Sequence, residues 1–164
     1  MDKDLKGAVF DCNVYLQAII SRNGTAAKCL ALARDRRITL YTSPSIVAEI
    51  EEVLFRPVVR ALIPHQSAEL IESFIRGILT VSTSIHNVRP AFSFTRDPDD
   101  EPYLNLAIAS GAHFLVSRDK DLLDLMTDYS DDAKDFRRRY RQISIVNPVG
   151  FLSGVTDTGM EVEP

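Results

Sequence analysis

Asp11 and Asn13 follow the apolar run Ala8-Val9-Phe10, and Asp119 follows a second run, His113-Phe114-Leu115-Val116, after only Ser117 and Arg118. A third group, Asp97-Pro98-Asp99-Asp100-Glu101-Pro102, stands just ahead of an apolar helical pattern. Burying a carboxylate inside a strand costs several kcal/mol unless it is paired or bound to a metal. The economical place for Asp11 and Asp119 is therefore the carboxyl end of parallel strands, where open α/β sheets bind ligands. Each acid also has a simpler use, because an Asp at a helix start caps it or meets its dipole. Acids that converge on one edge repel one another and raise at least one pKa unless a cation holds them. An all-oxygen donor set without His or Cys suits a hard cation, Mg²⁺ or Mn²⁺. Such an ion can activate water and neutralise charge on a phosphate under attack.

The elements that must position these acids are legible from apolar periodicity. Strands are predicted over 8–10, 38–42, 80–85, 113–116 and 143–146, and helices over 14–20, 25–36, 44–54, 67–79, 103–111 and 131–141. Ser43-Pro44 is a strong helix start and Gly111 a strong stop. In the 44–54 helix, Ile46, Ile50, Val53 and Leu54 form the apolar stripe, with Glu49 and Glu51 on its two borders. Periodicity alone leaves both open. The 67–79 helix is expected to turn Leu70, Ile71, Phe74, Ile75 and Ile78 inward, and 57–64 reads as a connector. Strands alternating with helices predict a three-layer α/β/α sandwich around a central parallel sheet, Rossmann-like in outline.

The chain has 164 residues, 45% hydrophobic and 26% charged, which suits one globular domain. No apolar run reaches the length of a membrane span, and Met1-Asp2-Lys3-Asp4 carries no signal-peptide pattern. Two cysteines without zinc spacing fit a reduced, cytoplasmic setting. His65, His86 and His113 are scattered, and no phosphate-cradling glycine loop is present. The net charge of −4 does not exclude a nucleic-acid partner, since four acids gathered in one site would leave the remainder balanced.

Taken in order, Asp11-Cys12-Asn13, Ser43-Pro44 with Glu49, Asp97-Pro98-Asp99-Asp100 before a helix ending at Gly111, and Val116-Ser117-Arg118-Asp119-Lys120-Asp121 resemble the PIN-domain ribonucleases. The resemblance is closest to the branch of VapC-type toxins and covers roughly residues 7–150. It implies that Asp11, Glu49, Asp100 and Asp119 are catalytic and hold Mg²⁺ or Mn²⁺, with Asp121 an accessory ligand and Asp99 the alternative to Asp100. Asn13 and Ser117 match polar positions that hydrogen-bond these carboxylates, Ser117 standing where threonine is common. The activity implied is hydrolysis of RNA by water, leaving a 5′-phosphate and a 3′-hydroxyl. The partners implied are RNA, an antitoxin protein and a second copy of the chain. Residues 1–155 are expected to form a single PIN-like domain and 156–164 a disordered tail.

Arg96 and Arg118 flank the expected site and are the candidates for guiding an RNA backbone. The run Arg137-Arg138-Arg139-Tyr140-Arg141 also has a plainer use, ending a helix that Asp131, Asp132 and Asp135 begin. Tyr15 and Tyr103 could stack a base, although core packing serves either ring as well. Two rival readings remain. Asp11-Cys12-Asn13-Val14 is similar to the opening of haloacid-dehalogenase-like phosphatases, in which the first acid is a nucleophile and the second a general acid. Asn13 cannot supply that proton. A partner-binding PIN module with little activity is the other.

Overall fold

The structure is a computed structural model that describes residues 4–65 and 67–159. Its centre is a parallel sheet of β1 (Gly7–Phe10), β2 (Thr39–Thr42), β3 (Ser82–Ser84), β4 (Phe114–Val116) and β5 (Ser144–Val146), in the order β3-β2-β1-β4-β5. The strands all run the same way, with Ala8 opposite Leu40 on one side and Phe114 on the other. Such a sheet is covered on both faces, so its central strands read as continuous apolar runs. β1 conforms: all four of its residues are buried. Gly7 admits no side chain, because a Cβ there would lie 2.6 Å from the Tyr41 ring.

Helices cover both faces. They are α1 (Cys12–Ile20), α2 (Thr25–Arg34), α3 (Pro44–Leu54), α4 (Pro57–Leu62), α5 (Ala68–Val81), α6 (Glu101–Ser110), α7 (Lys120–Leu123), α8 (Asp131–Arg139) and α9 (Pro148–Gly159). The helix α6 packs on β1, β2 and β4, while α9 packs on β4, β5 and α2. Ser43 caps α3 by accepting the Ile46 N–H at 3.3 Å, with Pro44 in its first turn. Ser130 caps α8 in the same manner, and Gly111 ends α6 at φ +70°. The α/β sandwich is therefore as the alternation of elements requires.

Three local expectations are corrected. Residues 57–62, read as a connector, form α4, because Pro57 suits a first turn and Val59 is buried. The helix α5 runs to Val81, and only Ser82–Ser84 remain for the edge strand. Leu70, expected inside, is 47% exposed; with Phe74 it lines an open cleft of about 890 Å³ between α1, α2 and α5. At the C-terminal end, α9 runs from Pro148 to Gly159. It is drawn in by Phe151, whose ring meets Phe10 and Phe114 edge-on at 5.5 and 5.3 Å, and by Val155. The rest of the expected tail, 160–164, lies outside the described residues.

Candidate metal centre

The chain leaves β1 for β2 on one side and later places β4 on the other. The carboxyl ends of β1 and β4 thus flank the point where strand order reverses, the usual crevice for a ligand in an open α/β sheet. Asp11 follows β1 directly, and its N–H donates to the Val116 carbonyl at 2.9 Å, so the backbone pins it to the end of β4. Ser117, fully buried, donates its hydroxyl to Asp11 Oδ2 at 2.6 Å and accepts the Asp119 N–H at 2.9 Å. Asn13, the second residue of α1, donates to the same Oδ2 at 3.2 Å. Asp119 in turn accepts the Asp121 N–H at 2.9 Å and caps α7. Each polar group here has a local task, as buried polar groups require.

The third acid arrives from below α6. Asp97 accepts the Asp99 N–H at 3.1 Å and starts a 3-10 turn over Pro98–Asp100. That turn leaves Asp99 exposed and Asp100 buried. Oxygens of Asp11, Asp100 and Asp119 all lie within 4.8 Å of one another. Among the described residues, Asp100 Oδ2 is buried without any hydrogen-bond partner. Burial pushes the Asp100 carboxyl up to about 8, helped by contact with Asp119 and by the charges of Asp11, Asp119 and Asp97. Burial likewise raises Asp11 to about 6 against the pull of Ser117 and the Cys12 N–H, with Asp119 and Glu49 adding to the rise. The group is electrostatically frustrated as it stands. An oxygen-only set with an unsatisfied buried carboxylate atom is a donor set that fits a hard divalent cation.

Glu49 does not join the three. Its carboxylate is half-buried and accepts the Tyr103 hydroxyl at 2.6 Å, near enough to Asp11 to raise it. Glu51 and Glu52 are exposed, and Glu52 pairs with Arg56 at 2.8 Å. Asp121 groups instead with Asp97 and Asp119, and Arg96 binds it at 2.6 Å while reaching Asp124 at 3.0 Å. Arg96 is thus occupied by carboxylates, whereas Arg118 is exposed beside the pocket with its N–H 3.5 Å from Asn13 Oδ1. Arg137 donates to the Leu125 and Asp128 carbonyls, and Arg138 and Arg139 pair with Asp135, so most of the basic run serves α8 and its surroundings. Tyr15 and Tyr103 are core residues, and neither ring is open to a base.

Tyr103 as the partner of Glu49 was not anticipated. A signal existed, since Tyr103 follows Asp100 by three residues and so shares its helical face. The phosphatase alternative lacks its general acid: Asn13 stands at that position with no ionisable proton to give, and its amide serves to hold Asp11.

The chain is similar to known proteins. The family model described as PIN domain matches residues 7–121, a span that includes Asp11, Glu49, Asp100, Asp119 and Asp121. An uncharacterized protein of Methanocaldococcus jannaschii is 35% identical over 155 residues, which is 93% of each chain.

Proposed function

The chain belongs to the PIN-domain family, a family of nucleases, and from that premise we propose that it is a metal-dependent ribonuclease acting as the toxin of a toxin–antitoxin pair. The observation that carries the reading is the convergence of Asp11, Asp100 and Asp119, from three separate segments, together with a buried Asp100 oxygen that has no hydrogen-bond partner among the described residues. In this proposal those three acids hold Mg²⁺ or Mn²⁺, and Glu49 stands at the edge of the group. The bound ion supplies activation of water and charge neutralisation on the scissile phosphate.

The chain's own residues do the rest. Ser117 and Asn13 fix the Asp11 carboxylate, so its orientation costs no reorganisation during the reaction. Ser117 also ties Asp119 to Asp11 through the Asp119 N–H, which couples the ends of β1 and β4. The 3-10 turn before α6 lifts Asp100 into the same pocket. Arg118, exposed at its rim, attracts the RNA backbone. The motif order of the VapC-type branch supports the toxin role, an antitoxin partner and a homodimer, and the free thiols Cys12 and Cys29 are in keeping with a reducing, cytoplasmic setting.

The test is cleavage of a panel of structured RNAs by purified protein with Mg²⁺, Mn²⁺ or EDTA, beside a folded Asp100→Asn variant. Metal-dependent cleavage to 5′-phosphates, lost in the variant, is expected. Equal cleavage by the variant would remove Asp100 from the site. An inert wild type that also binds no Mn²⁺ would overturn the nuclease reading.

A further inference from the structure

Glu49 is pushed and pulled away from the pocket. Asp11 lies close enough for the two like charges to repel, and the Glu49 charge adds to the rise of the Asp11 carboxyl that burial begins. Arg56, just past the end of α3 and paired with Glu52, lies with its guanidinium close enough to interact with Glu49. A half-buried carboxylate on a flexible stem would follow these forces outward. It is held instead by one hydrogen bond, from the Tyr103 hydroxyl at 2.6 Å. The Tyr103 ring is 1% exposed and wedged into the core by α6, so its hydroxyl has little freedom to follow Glu49 elsewhere. The Cys12 thiol lies beside the same hydroxyl, but a thiol is a poor acceptor and Glu49 takes the proton's direction.

We propose that Tyr103 is a positioning residue that holds the Glu49 carboxylate against the edge of the three-acid pocket, where it helps to retain the cation. The inference rests on the metal-site reading above. It makes α6 a two-handed element: Asp100 at its start enters the pocket directly, and Tyr103 one turn later acts on the pocket through α3. Partners that orient the groups around a metal commonly contribute about 10-fold or more in metal affinity.

The experiment is Mn²⁺ titration by calorimetry on wild type, Y103F, E49A and the Y103F/E49A double variant, each shown folded by thermal melting. Y103F keeps the ring and removes only the hydroxyl. We expect Y103F to bind Mn²⁺ about 10-fold more weakly than wild type, with no further loss when the change is made in E49A. Unchanged affinity in Y103F would overturn the positioning role alone and leave the bond a tie between α6 and α3. An equal loss in the wild-type and E49A backgrounds would also overturn it, since Tyr103 would then not act through Glu49. No Mn²⁺ binding by wild type would bring down the metal-site reading, and this inference with it. If Y103F does not fold, E49D replaces it: the charge is kept but withdrawn from the hydroxyl, so a similar loss is expected and wild-type affinity would overturn the proposal.

Discussion

Asp100 pairs burial with an oxygen that has no hydrogen-bond partner among the described residues. Its folded pKa, about 8, lies above the ordinary 3.8, so the native metal-free chain holds a proton that the unfolded chain has already lost at neutral pH. A group shifted in that direction stabilises the fold fully below about pH 4, and that stability is lost as pH rises toward 8. Asn at this position has no proton to lose. Asp100→Asn is therefore expected to be more stable than metal-free wild type at pH 7, with a margin that widens in melting temperature as pH rises from 4 to 8. Parallel melting curves of the two proteins across pH 4–8 would contradict the shift. Because a cation must displace that proton, Mn²⁺ affinity is expected to rise by about 10-fold or more between pH 6 and 8. Ser117→Ala removes the hydroxyl that orients Asp11 and is expected to lower both Mn²⁺ affinity and cleavage by about 10-fold. Retention of both within twofold would show that the Asp11 orientation is set by the backbone alone.

The helices divide by how loudly their sequences announce them. α6 has an acid-rich start, a proline in its first turn and Gly111 at its end in the left-handed region. A Cβ at Gly111 meets nothing within 4 Å, so Gly111→Ala isolates the backbone term and should cost about 1–2 kcal/mol, read by thermal melting, with cleavage unaffected. By contrast, α9 carries Gly150, Gly154 and Gly159 and buries chiefly Phe151 and Val155, too sparse a pattern to register as a period. Its value lies in tertiary packing rather than propensity. Phe151→Ala should cost about 3–5 kcal/mol, because the ring fills the space between Phe10 and Phe114. A loss under 1 kcal/mol in chemical unfolding would show that α9 is peripheral to the core.

At the scale of the molecule, the parallel sheet brings the carboxyl ends of β1 and β4 together, and the acids meet there without long loops. A cation bound only by that assembled edge must stabilise the whole fold. Mn²⁺ at about 100 times its dissociation constant should add about 2.7 kcal/mol, roughly 5–10 °C in melting temperature. EDTA should reverse it, and Asp100→Asn should show much less. Equal stabilisation of the variant would place the ion elsewhere. Among the described residues no helix is long and apolar enough to cross a membrane.

The sequence by itself determined the alternation of strands and helices and the placing of acids at their ends. Apolar period and capping residues are local properties, and a parallel sheet is the only common way to bury strands so uniformly apolar as β1. It brought Asp11, Asn13, Ser117 and Asp119 into view because each follows a strand whose end could be read. The choice between Asp99 and Asp100 depends on the turn that Asp97 starts, which sends neighbouring side chains in opposite directions. The standing of Glu49 depends on Tyr103, fifty-four positions away, and the occupation of Arg96 depends on Asp121 and Asp124 from the segment after β4. Partners so distant along the chain leave no mark in local periodicity. Only the tertiary structure decides which carboxylates face one another and which are already taken.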